Sequence, residues 1–115
     1  HTCKITWPIL IDNSNQSEEG FIRNDSLGIV YAGEGCWGAP LRDADDIKSW
    51  TRDAEAVNQF NLIFVSIDKI ELRTVLYENA DQIIEVSEES RFKIPSNLNL
   101  WGPKNGTLVE IYPRR

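Results

Sequence analysis

At 115 residues, 41% of them hydrophobic and 26% charged, the chain has the length of one domain (residues 1–115) and the composition of a soluble globular protein. Its net charge of −6, with 18 acids spread along the chain and no basic stripe, repels a phosphate backbone and excludes nucleic acid as an expected partner. No apolar run approaches the length that spans a bilayer; the longest, Leu62 to Ile67, is strand-sized, so no membrane span is expected.

In chain order, Lys4 to Ile11 is a β-branched apolar run, and Pro8 inside it predicts an edge strand or a bulge. Asp12 to Gly20 is polar and rich in turn formers, which predicts a surface loop. Leu27 to Ala32 reads as a second strand, and Gly33 to Pro40 as a glycine-punctuated turn. The pattern over Asp43 to Gln59 predicts a helix: Ile47, Trp50, Ala54 and Val57 fall on one face of a 3.6-residue period. Asp43, Asp45 and Asp46 stand at its start, where acids cap free N–H groups.

Beyond the helix the period switches to two. Asn61 to Ile67 is nearly all apolar, as in a central strand covered on both faces. Asp68-Lys69 makes a turn. In Lys69 to Tyr77, Ile70, Leu72 and Leu76 face one way and Glu71, Arg73 and Val75 the other. Gln82 to Val86 and Arg91 to Ile94 repeat the alternation, Pro95 to Gly106 is a turn-rich loop, and Thr107 to Tyr112 is a last strand. Such short connections favour antiparallel pairing. The expected fold is a β-rich α+β domain: an antiparallel sandwich or jelly-roll-like sheet of about seven strands with one amphipathic helix.

Motifs for catalysis fail on context. Gly33-Glu34-Gly35-Cys36-Trp37-Gly38 matches G-x-G-x-x-G, but Pro40 follows and hairpins, not a βαβ unit, come next. His1 is the only histidine, so neither a copper or zinc site nor a histidine-based nucleophile system can be assembled, and no metal or cofactor is expected. The acid clusters Asp43/Asp45/Asp46 and Glu88/Glu89 leave a small acid-pair hydrolase as a second alternative to binding. Trp7 and Trp50 are expected in the core. Trp37 and Trp101 lie in glycine-flanked loops, where an indole can stack on a sugar or anchor a protein interface.

A single cysteine pair, Cys3 and Cys36, reads as one disulfide, worth about 3–4 kcal/mol by chain entropy. The absence of Met and the sequons at Asn15, Asn24 and Asn105 add to an expectation of secretion.

In its His1-Thr2-Cys3 start, its lone cysteine pair and its strands after Gln59, the chain resembles the small secreted effectors of plant-pathogenic fungi, rusts included. That resemblance implies a secreted, non-enzymatic protein, translocated into host cells in some cases, that binds a host protein and is detected by a host immune receptor through surface residues. The expected contact surface is the loop Asn97–Gly106, with Trp101 as apolar anchor and Lys104 and Asn105 beside it, and Trp37 as a further candidate. A carbohydrate-binding module stacking a glycan on Trp37 and Trp101 is the first alternative.

Overall fold

The computed structural model describes residues 2–33, 40–77, 87–89, 91, 93, 96 and 98–113. They form eight strands: β1 (Cys3–Thr6), β2 (Ile9–Ile11), β3 (Phe21–Arg23), β4 (Ala32–Gly33), β5 (Thr51–Glu55), β6 (Gln59–Val65), β7 (Ile70–Leu76) and β8 (Leu108–Ile111). These make three small sheets, ordered β4-β1-β5, β2-β3 and β6-β7-β8, and every strand pairing is antiparallel.

The chain is β-rich, but it is not a seven-strand sandwich with a helix. Pro8 is one reason. It has no N–H to give to a ladder, and the first run divides around Trp7-Pro8 into β1 and β2, which enter different sheets. The segment read as Leu27 to Ala32 follows this break. Ile29 exchanges hydrogen bonds with Ile9, whereas Ala32 pairs with Ile5, so only Ala32–Gly33 counts as strand. Gly28 is required where the chain crosses Pro8, since a Cβ there would lie 2.4 Å from the Pro8 carbonyl carbon.

The predicted helix over Asp43–Gln59 is absent: residues 40–48 are irregular, 49–50 turn, and the rest supplies β5 and the start of β6. Pairing with β1 overrides the helical period, with Cys3 opposite Glu55 and Ile5 opposite Asp53. Strand β5 (TRDAE) is too polar to show an alternation of apolar residues, yet Thr51, Arg52 and Asp53 are all buried. Trp50 is core, as expected, by a different route: its Nε1–H donates to the Glu18 carbonyl at 2.9 Å and its ring meets Phe21 edge-on. Ile47, expected on the same buried face, is 55% exposed.

The expected central strand is also corrected. It is β7 that lies between two neighbours, while β6 stands at the end of its three-stranded sheet among the described residues. One core cluster joins the two three-stranded sheets: Cys3 and Ile5 of β1 with Leu72, Val109 and Trp101. The alternation in β7 holds in part: Leu72 and Leu76 face this cluster and Glu71 and Arg73 line a cleft elsewhere, but Val75, expected with the latter pair, is fully buried, and Ile70, expected with the former, is exposed. The expected strands Gln82–Val86 and Arg91–Ile94 involve positions outside the described residues.

Candidate functional site

The expected loop surface divides into three. Trp101 does not stand out as an anchor: it is 4% exposed, its Nε1–H donates to a Glu55 carboxylate oxygen, and its backbone N–H donates to the Thr74 carbonyl at 2.8 Å. The bridge from Leu100 to Val75 draws this part of the loop onto β7 and carries the indole inward. Lys104 is exposed, as expected of a contact residue. Trp37 and Cys36 lie outside the described residues, so the Cys3–Cys36 pairing does too; Cys3 itself is buried.

Asn105 belongs to a structural network. The register between β1 and β5 shifts at Ile5/Thr6, where Arg52 is the extra residue of a β-bulge. A bulge re-aims side chains, which lets the neighbours Arg52 and Asp53 meet at 2.7 Å although both are buried. Arg52 Nη2 also donates to the carbonyls of Asn105 at 2.6 Å and Gly106 at 3.0 Å. Asn105 answers through Nδ2–H, donating to Asp53 Oδ1 at 3.0 Å and to the Arg52 carbonyl at 2.6 Å. The Asn105 carboxamide, a sequon position, is thus engaged in holding the loop to β5. Asn24 caps a turn, its Oδ1 accepting from Ser26 and Leu27 N–H, and Asn15 is exposed.

Among the described residues, the β6–β7 hairpin carries a run of exposed apolar side chains on one face. Ile63 pairs with Leu72 and Val65 with Ile70, so these four side chains share one sheet face. Leu72 is buried in the core, but the face runs on past the core toward the turn: Ile63 is 57% exposed, Val65 72%, and Ile67 at the tip 95%. The turn is built by Ser66, whose hydroxyl accepts from Lys69 N–H at 3.1 Å and donates to the Lys69 carbonyl at 3.0 Å.

On the other face of the hairpin lies a cleft of about 630 Å³ lined by Phe64, Lys69, Glu71, Arg73 and Lys93, with Val65 and Ser66 at the turn. Lys69 sits between Glu71 at 2.6 Å and Glu110 at 2.5 Å. These bonds raise the Lys69 pKa and, from the other side, hold Glu71 below the usual carboxylate range. Arg73 approaches Glu71 only at 3.5 Å, and its Nε–H is buried without a hydrogen-bond partner among the described residues.

A smaller cleft of about 350 Å³ runs between Trp7 and β8. Its groups already satisfy one another. The Arg23 guanidinium stacks 3.8 Å from the Trp7 ring centroid and forks onto both Asp25 oxygens, holding the Asp25 pKa down. Of the acids singled out in the sequence, Asp46 pairs with Lys48 at 2.6 Å and Glu88 with Arg91 at 3.0 Å. Among the described residues no group of three His, Cys, Asp or Glu side chains could hold a metal ion, and no helix is long and apolar enough to cross a membrane.

Sequence reasoning missed both faces of the hairpin as sites, though signals for both were present. NLIFVSI carried the apolar side, and the alternation Lys69, Glu71, Arg73 carried the charged one. No family model, curated protein or solved structure matches the chain.

Proposed function

We propose that this chain is a non-catalytic binding domain that docks a protein partner on the apolar face of its β6–β7 hairpin. The observation that carries the reading is the exposure of Ile63, Val65 and Ile67 on one projecting hairpin, beside the half-covered Ile70. Soluble domains seldom leave such a cluster open, and a patch of this kind marks a contact surface. Burying it against a protein gains about 25 cal/mol per Å² of apolar area. Its flat, strand-borne shape suits another protein surface better than a sugar, and the burial of Trp101 removes one of the two rings required for the glycan platform.

In its fuller form this reading makes the domain a secreted effector with a host protein as partner, as the resemblance implies. A Cys3–Cys36 bond goes with it.

The test is capture from host extract on three immobilised forms: the native protein, Ile63→Asn/Val65→Asn, and Lys104→Glu. A partner held by the native protein should be kept by Lys104→Glu and lost by the hairpin double variant. Retention by the double variant with loss by Lys104→Glu would move the surface back to the Asn105 loop.

A further inference from the structure

We infer that the cleft beside Phe64 is a binding site for a small organic anion, its acidic head on Arg73 and Lys93 and its apolar body along Phe64 and Val65. Phe64 and Arg73 belong to the hairpin face opposite the proposed docking surface, and the two surfaces share Val65 at the turn.

Three observations carry it. First, the cleft, at about 630 Å³, falls within the roughly 300–1,000 Å³ usual for small-molecule sites. Second, its cations are not equally occupied. Lys69 is held between Glu71 and Glu110, and Ser66 is committed to the turn. Arg73 keeps a buried Nε–H with no partner, and Lys93 makes no ion pair among the described residues. A buried donor left unmade is costly, and the Arg73 side chain, 30% exposed, still lines the cleft, where an acceptor oxygen can reach its guanidinium. Third, three cations against one carboxylate line this cleft in a protein of net charge −6, so its local sign opposes the whole molecule.

The Trp7 cleft shows what an occupied arrangement looks like. There the arginine has its carboxylate, Asp25, within the chain, at 2.8 and 2.9 Å. Arg73 reaches a carboxylate, that of Glu71, through one long Nη2 contact of 3.5 Å and not through a two-pronged fork, and the carboxylate or phosphate of a ligand supplies the stronger arrangement. Phe64 and Val65 ask for a short apolar body attached to that head.

Calorimetric titration with four probes tests this: octanoate, octyl phosphate, octanol and inorganic phosphate. At least one of the two amphipathic anions should bind about tenfold or more tightly than octanol and than inorganic phosphate, the factor expected of one charge-assisted hydrogen bond. Which anion binds better identifies the head group. Lys93→Gln, at an exposed position, should weaken that binding about tenfold by the same reasoning. Arg73→Gln should weaken it further, and Lys104→Gln should leave it unchanged. Binding that ignores the head group, binding that ignores the chain, binding indifferent to Lys93→Gln, or no binding by any probe would each overturn the assignment.

Discussion

The β5–Asn105 corner and the β6–β7 hairpin treat the same kinds of residue in opposite ways. At the corner an arginine, an aspartate and an asparagine are drawn together by a bulge and spend their hydrogen bonds on each other and on nearby carbonyls. On the hairpin an arginine keeps an unmet Nε–H, and three apolar side chains face outward. Groups that satisfy one another hold a fold together, whereas groups left unsatisfied among the described residues are where the proposed contacts are placed. Asn105, expected as a contact residue, is hydrogen-bonded into the scaffold, and the contact surface proposed in its place lies on a strand that was expected to be buried.

The largest effect that could break the comparison is at the corner. Asp53→Ala leaves the Arg52 guanidinium buried without its carboxylate, which should cost about 3–5 kcal/mol in urea denaturation. Asn105→Ala should cost less, about 1–3 kcal/mol, by uncoupling the loop from β5. If either variant were as stable as the native protein, the network would not be the scaffold.

An intermediate effect is set by acid. Glu18, which accepts from Ser49 N–H at 2.6 Å, Glu71 beside Lys69, Asp25 beside Arg23 and Asp46 beside Lys48 are all held below the ordinary carboxylate range in the fold. Each group binds its proton more readily in the unfolded chain, so its contribution is complete above its unfolded pKa and lost as pH falls through the folded value. Denaturation free energy should therefore hold down to about pH 4.5 and decline below it. A protein more stable at pH 3 than at pH 6 would show that these pairs do not contribute as drawn.

Much of the second half was legible in the sequence because its strands alternate. Leu72 and Leu76 inward, with Glu71 and Arg73 on the opposite face, follow from period two alone. The antiparallel, β-rich character was legible in the short connections, and the break at Pro8 in that residue's missing N–H. What was not legible depends on contacts between distant segments. Nothing local in Thr51–Glu55 reveals that β1 will pair with it, and so the helical spacing of Ile47, Trp50, Ala54 and Val57 prevailed. Trp101 sits among loop residues in the sequence, and only the pairing of Leu100 with Val75 turns it inward. The openness of Ile63 and Val65 was hidden for a related reason. An apolar run shows that a strand has apolar faces, but not whether another layer of the same chain covers them.

The smallest expected effect bears most directly on the central claim, that the outward face of the hairpin contributes to binding and not to folding. The stability of Ile63→Thr/Val65→Thr, which keeps both β-branched shapes while removing apolar surface, should lie within about 0.5 kcal/mol of the native protein in urea denaturation. A loss of about 2 kcal/mol or more, the size expected for truncating core side chains, would mean that this face is part of what holds the domain together, and the docking surface would have to be sought elsewhere.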